Sequence, residues 1–125
     1  MPLNVLLVED NADIAMLTTD ALAYGGHTAT LAASVSEAVR ELTARHSFAI
    51  VLLDLELPDG RGEEIVHRLR SRQIVIPAII ILSGLPLREL DAAVLVVAAV
   101  TAIRKPYETS VLLEAMALHG GRTLH

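Results

Sequence analysis

Short apolar runs alternate along the chain with stretches in which apolar residues recur at helical spacing. The runs of strand length cover residues 3–8, 27–31, 48–53, 74–82 and 100–103. The fourth of them is expected to form a strand in earnest only after Pro77, because proline cannot donate to a sheet. A helical pattern follows each run, so the chain is expected to form five strand–helix units.

The helical patterns indicate which residues should face the core. Asn11 is placed to cap the first helix, and Ser34 with Glu37 has the spacing of a capping box ahead of the second. The inward faces of the five helices are expected to carry, in order, Ile14, Leu17, Thr18, Ala21 and Leu22; Ala38, Val39 and Leu42; Ile65, Val66 and Leu69; Leu87, Leu90, Val94 and Val97; and Leu112, Ala115 and Met116.

This order of elements predicts the fold class. Nearly continuous apolar strands separated by helices indicate a parallel sheet with both faces covered, because each parallel crossover places a helix on one face. The 125 residues contain no internal repeat or linker, which favours one domain over residues 1–125. We therefore predict an α/β, doubly wound (βα)₅ domain, in which ligands bind outside the carboxyl ends of the strands.

Reactive side chains stand where four of the predicted strands end. Glu9 and Asp10 follow the first strand, Asp54 the third, Ser83 the fourth and Lys105 the fifth. Three carboxylates at one edge repel each other unless they are protonated or a cation neutralises them. A set of oxygen ligands favours Mg²⁺, with Asp10 and Asp54 as the expected direct ligands.

The same residues can support phosphoryl chemistry. A carboxylate such as Asp54 can attack phosphorus and form an acyl phosphate. Lys105 would neutralise the transferring group, and Ser83 would donate its hydroxyl to a phosphoryl oxygen.

Four segments in order resemble the motifs of the response-regulator receiver family, and the resemblance spans the whole chain. They are VEDN at 8–11, DLELPDGRG at 54–62, ILSG at 81–84 and KPY at 105–107. Each is weak alone, but four at the ends of predicted strands are specific. The resemblance implies a flavodoxin-like sheet with strand order 2-1-3-4-5.

The resemblance also implies a function. It implies that Asp54 accepts a phosphoryl group from a histidine kinase or a histidine phosphotransfer protein, with Glu9 and Asp10 assisting Mg²⁺ and the backbone carbonyl of Glu56 as a further ligand. By the same resemblance, the chain is expected not to be an enzyme beyond catalysing its own phosphorylation and dephosphorylation. It is expected to signal by binding a partner or by relaying phosphate. A cis peptide bond between Lys105 and Pro106 is also implied. The chain would be either free-standing or a part of a hybrid histidine kinase.

Two features depart from the family or extend it. Receivers usually carry Tyr or Phe three residues before the lysine, whereas this chain has Ala102, which has no ring to switch. Output is therefore expected to use the loop at Gly84 and Leu85, or the fourth helix. That helix also carries Leu95 and Ala98 on its outer side, which indicates either a homodimer or downstream-partner interface with the fifth strand, or a deeply buried helix.

Two other functions stay open. A degenerate receiver would bind its partner constitutively, which Ala102 favours. A phosphatase that forms an aspartyl phosphate, as in haloacid-dehalogenase-like enzymes, would need a second aspartate where this chain has Glu56, and a longer chain.

Composition and charge narrow the function classes. A net charge of −5 disfavours nucleic-acid binding, and the absence of cysteine excludes disulfides and thiolate metal sites. The N-terminus lacks the pattern of a signal peptide, and the longest uncharged apolar run, residues 92–100, is too short to span a membrane. A cytoplasmic protein with surface histidines and a frayed tail at 120–125 is expected.

Overall fold

The main sheet is built from the five apolar runs of the sequence. In a computed structural model, which describes residues 2–45 and 47–119, the strands are β1 (Asn4–Val8), β2 (Thr28–Ala32), β3 (Ile50–Leu53), β4 (Glu56–Leu57), β5 (Gly60–Arg61), β6 (Ala78–Ser83) and β7 (Thr101–Arg104). Five strands pair in parallel in the order β2-β1-β3-β6-β7, and β4 and β5 form a separate antiparallel hairpin. Without the hairpin, this is the order 2-1-3-4-5, so the predicted fold class is confirmed.

Helices connect the strands, and the first two begin at side-chain caps that the sequence provides. They are α1 (Ala12–Tyr24), α2 (Val35–Ala44), α3 (Glu63–Ser71), α4 (Leu87–Val97) and α5 (Thr109–His119). The side chain of Asn11 accepts the Ile14 N–H at 3.0 Å, and that of Ser34 accepts the Glu37 N–H at 3.1 Å. In the described part of the chain, no helix has both the length and the apolarity to cross a membrane.

The sheet separates two apolar layers. Along β1, Leu6 and Val8 pack into the layer beneath α2, α3 and α4, whereas Val5 and Leu7 pack into the layer beneath α1 and α5. This alternation follows from the strand geometry, in which successive side chains point to opposite faces. Helices therefore cover both faces of the sheet, and the ends of the strands remain open to polar groups.

Two of the predicted core positions are wrong. Leu17 and Leu87 are 69% and 61% exposed, and the small residues Ala15 and Ala93 are buried on those helices instead. Both helices carry more apolar residues than are needed to form one inward face. The prediction from helical spacing therefore assigned the larger leucines to the core, although the smaller alanines are the residues that face it. Thr18, Ala21, Leu22, Leu90 and Val97 are buried as predicted, and the inward faces of the second and third helices are confirmed.

The histidines are less uniform than predicted. His67 is exposed, but His27 and His119 are half-buried. The Nδ1 atom of His27 accepts the Leu3 N–H at 3.1 Å, which ties it to the start of the sheet. His46, His125 and the expected tail at 120–125 lie outside the described residues.

Candidate functional site

The carboxyl ends of four adjacent strands bring the predicted site residues to one edge of the sheet. The pairs Val8↔Leu53 and Leu53↔Ile81 align β1, β3 and β6, and β7 lies beside β6. The side chains that follow or end these strands therefore meet. They are Glu9 and Asp10, Asp54, Ser83 and Lys105.

The three acidic residues form a cluster that suits a hard cation. Glu9, Asp10 and Asp54 each offer a carboxylate oxygen, and these oxygens all lie within 4.8 Å of one another. Glu9 and Asp54 are only 3% and 6% exposed, whereas Asp10 is open to solvent. Oxygen ligands with one open side match the preference of Mg²⁺, which keeps several waters. The donor set therefore fits the metal that the sequence predicts.

Lys105 lies within the acidic cluster. Its Nζ is 2.5 Å from Oε1 of Glu9 and 3.6 Å from Oδ2 of Asp54. The other oxygen of Glu9, Oε2, accepts the Asn11 N–H at 3.1 Å. Burial acts to lower the pKa of Lys105, but the hydrogen bond to Glu9 and the charge of Asp54 outweigh it and raise that pKa. The lysine is therefore charged, and it offsets part of the negative charge of the cluster.

The Asp54 carboxyl is buried beside these charges. Burial raises the pKa of Asp54 to about 6, against the opposing effects of a hydrogen bond from the Glu56 N–H and of the Lys105 charge. The Glu56 N–H lies 3.2 Å from Oδ1 of Asp54. A further positive charge at this edge would favour the carboxylate, which is the form that can attack phosphorus.

Ser83 is fully buried, and its hydroxyl oxygen accepts the Leu85 N–H at 3.1 Å. Its backbone carbonyl accepts the Lys105 N–H at 2.8 Å, which fixes the two strand ends side by side. If the hydroxyl turned toward Asp54, it would release the amide of Leu85. The site is therefore linked through Ser83 to the loop that leads into α4.

The loop after Asp54 closes tightly over the strand end. A Cβ on Gly62 would lie 2.5 Å from the carbonyl oxygen of Asp54, so the close approach requires glycine. The Gly62 N–H donates to the Leu55 carbonyl at 2.9 Å. Between these contacts the chain forms the β4–β5 hairpin, which the sequence predicted only as a loop with proline and glycine.

Comparisons with known proteins agree with this geometry. The family model of the response regulator receiver domain matches residues 5–117. The chain belongs to the response regulator receiver family. The receiver is 30% identical to the response regulator protein FleR of Pseudomonas aeruginosa over 120 residues, which are 95% of this chain but 25% of FleR. It therefore spans about a quarter of that relative.

Solved receiver structures share the fold. A CheY-like response regulator receiver domain protein from Methanospirillum hungatei superposes with a TM-score of 0.82 at 26% identity, covering 96% of this chain and 94% of that one. The receiver domain of the sensor histidine kinase PA1611 from Pseudomonas aeruginosa gives 0.82 at 25% identity, covering 97% and 99%. The latter was solved with a magnesium ion in its active site cleft.

Tyr107 was not among the predicted site residues. The peptide bond between Lys105 and Pro106 is cis, as the resemblance implied, and Tyr107 follows it. The Tyr107 hydroxyl lies 2.9 Å from Oγ1 of Thr18, and burial raises the pKa of the tyrosine. This contact joins the lysine loop of the receiver to α1. No sequence signal connects two residues this far apart.

Position 102, where a receiver is expected to carry an aromatic switch residue, holds alanine in this chain. Ala102 pairs with Ile81 in the sheet and packs against the layer beneath α4.

On α4, Leu95 is 82% exposed and Val96 is also exposed. Ala98 lies past the last residue of the helix, in the left-handed conformation at φ 56°, and not on its outer face as predicted. The receiver thus presents apolar side chains from its fourth helix.

Proposed function

We propose that Asp54 of this receiver accepts a phosphoryl group from a histidine kinase or a histidine phosphotransfer protein. The observation that carries the proposal is the burial of Asp54 within a three-carboxylate cluster that also contains a lysine. A carboxylate in contact with a cation at the edge of a doubly wound sheet is suited to phosphoryl transfer, where positioning and charge neutralisation supply most of the catalysis.

In the proposed reaction, an oxygen of Asp54 forms the new bond to phosphorus. The bond between phosphorus and the donor imidazole nitrogen breaks, and its electron pair stays on the ring, which leaves as neutral imidazole when its other nitrogen carries a proton. Lys105, 3.6 Å from Asp54, would pair with a phosphoryl oxygen after transfer, and Ser83 would donate its hydroxyl to another.

The cluster residues would hold Mg²⁺ in this reaction. Asp10, Asp54 and the carbonyl of Glu56 are the proposed ligands, and Glu9 assists from its buried position. The bound ion would supply positive charge to the phosphoryl oxygens. Lys105 pairs with the buried Glu9 carboxylate, so it would offset part of the negative charge of the cluster before the metal binds.

We propose further that the domain catalyses only its own phosphorylation and dephosphorylation. It signals by binding a partner, or passes the phosphoryl group on. The surface proposed for a downstream protein or a second copy comprises Leu95 and Val96 of α4 and Val100 before β7, all exposed. Exposed apolar groups on neighbouring elements favour an interface.

A constitutive binding module is the second candidate, and Ala102 is the observation that favours it. Without a ring at this position, the receiver could present the same α4 surface whether or not Asp54 is phosphorylated. Such a module would still hold its partner in an Asp54→Asn variant.

Mass spectrometry separates these candidates and the aspartyl-phosphate phosphatase. The wild type and Asp54→Asn are incubated with a small phosphodonor, once with Mg²⁺ and once with a chelator. A metal-dependent adduct that the variant lacks supports the phosphoacceptor. No adduct under donor excess supports the constitutive module, and rapid turnover of unrelated phosphate esters supports the phosphatase.

A further inference from the structure

Asp59 joins the hairpin beside the site to the helix α2. Its Oδ1 accepts the Val35 N–H at 2.7 Å, and its Oδ2 accepts the Ser36 N–H at 3.0 Å and the Ser36 hydroxyl at 3.1 Å. We call these three hydrogen bonds the Asp59 tether. The hydrogen bonds from the two amides lower the pKa of Asp59, so its carboxylate is the stable form.

The tether is shaped by the turn that carries it. Asp59 lies between β4 and β5, at the tip of the hairpin, and is followed by Gly60 with φ at +147°. This backbone conformation is one that residues with a side chain rarely adopt, so it favours glycine. A Cβ on Gly60 would lie 3.9 Å from a side-chain methyl of Val35. The turn thus brings the aspartate against the first turn of α2.

The two ends of the tether differ in how firmly they are held. α2 packs on the sheet through Val35, Ala38 and Val39, each of which is buried. The hairpin has only two residues per strand, and its Glu56 is exposed. At its base, the Glu56 N–H bonds to the carboxylate of Asp54. Asp59 therefore fastens a short, exposed hairpin to a well-packed helix.

We propose that Asp59 is a positioning residue for the metal site, and that its tether holds the Glu56 backbone and the Asp54 carboxylate where they bind Mg²⁺ together. This inference rests on the proposed function, because it concerns the same ligands. Groups that orient metal ligands from outside affect affinity strongly, since a misplaced ligand loses part of its bond to the ion.

A simpler role for Asp59 is to stabilise α2 alone. The Val35 and Ser36 amides are two of the donors that a helix leaves without partners in its first turn. Ser34 caps the same helix by accepting the Glu37 N–H, and it makes no hydrogen bond to the hairpin. The variant Ser34→Ala therefore weakens the start of α2 and leaves the Asp59 tether in place.

The test is calorimetric titration of Mg²⁺ into the wild type, Asp59→Ala, Asp59→Asn and Ser34→Ala, with folding checked by circular dichroism. We expect Asp59→Ala to weaken Mg²⁺ affinity by about tenfold. Asp59→Asn, which keeps one acceptor oxygen, should recover part of the loss, and Ser34→Ala should stay within about twofold of the wild type. Phosphorylation of Asp59→Ala should need more Mg²⁺ but reach the wild-type rate at saturation.

Wild-type affinity in Asp59→Ala would overturn the inference while leaving the metal site intact. An equal loss in Ser34→Ala would also overturn it, because helix stability would then explain the effect. A wild type that binds no Mg²⁺ would overturn the proposed metal site itself, and this is seen before the variants are compared.

Discussion

The ammonium group of Lys105 lies 2.5 Å from Oε1 of Glu9, a carboxylate that is 3% exposed. Lys105 is the single lysine of the chain. Its contact with Glu9 joins the end of β7 to the end of β1, across β3 and β6. The pair thus holds together the two sides of the site, with Asp54 between them.

Replacing Lys105 with methionine should leave Glu9 buried without its partner. We expect Lys105→Met to lower the free energy of unfolding by about 1–3 kcal/mol in a chelator. Mg²⁺ affinity should rise, because a competing positive charge next to the carboxylates is gone. Urea denaturation and calorimetric titration measure the two effects. Arg88→Met, at an exposed position on α4, is the matched control. Unchanged stability together with weaker Mg²⁺ binding would contradict the proposed role of the lysine.

Replacing Asp54 with asparagine should stabilise the metal-free protein. The substitution removes a buried charge beside Glu9 and keeps an oxygen to accept the Glu56 N–H. We expect a gain of about 0.5–2 kcal/mol in urea denaturation with a chelator at neutral pH. Asp91→Asn, at an exposed position on α4, should change little. A loss of stability in Asp54→Asn would show that the ion pair with Lys105 outweighs the cost of burial.

The Asp59 tether should produce a specific pH dependence. Because the pKa of Asp59 is lowered in the folded protein, the ionised carboxylate adds stability above the pKa of the unfolded chain, about 4. This contribution is lost as pH falls through the lowered value. We expect the melting temperature of the wild type to exceed that of Asp59→Asn at neutral pH, and the difference to shrink toward zero in acid. A difference that stays constant down to pH 2 would be inconsistent with the tether.

A tyrosine at position 102 should not enlarge the response to phosphorylation. In this receiver, the link from the site to the next loop is the hydrogen bond between Ser83 and the Leu85 N–H, which needs no ring. We expect exchange of the Leu85 amide to change equally on phosphorylation of the wild type and Ala102→Tyr. Hydrogen exchange with and without a small phosphodonor measures this. A clearly larger change in the variant would mean that the missing ring limits the wild type.

Local patterns in the sequence were enough to predict the five strands of the main sheet and the residues at their ends, whereas the order of those strands was implied by the resemblance to the receiver family. Strand-length apolar runs define where strands end, and the side chains that follow those ends meet whenever the strands are neighbours and parallel. The contacts of Asp59 with α2 and of Tyr107 with Thr18 could not be predicted. They join residues that are 24 and 89 positions apart, and they depend on a turn or loop conformation that no periodicity encodes. The predictions that Leu17 and Leu87 are buried were wrong for a different reason. The sequence does not distinguish an apolar residue at the surface from one in the core.

Chemical location of the phosphoryl group tests directly whether Asp54 is the phosphoacceptor. The receiver is phosphorylated with a small phosphodonor and Mg²⁺, reduced with borohydride, which converts an aspartyl phosphate to homoserine, and digested for tandem mass spectrometry. We expect homoserine at position 54, absent when the metal is chelated. Homoserine at another acidic position, or an unmodified Asp54 under donor excess, would contradict the assignment of Asp54 as the phosphoacceptor.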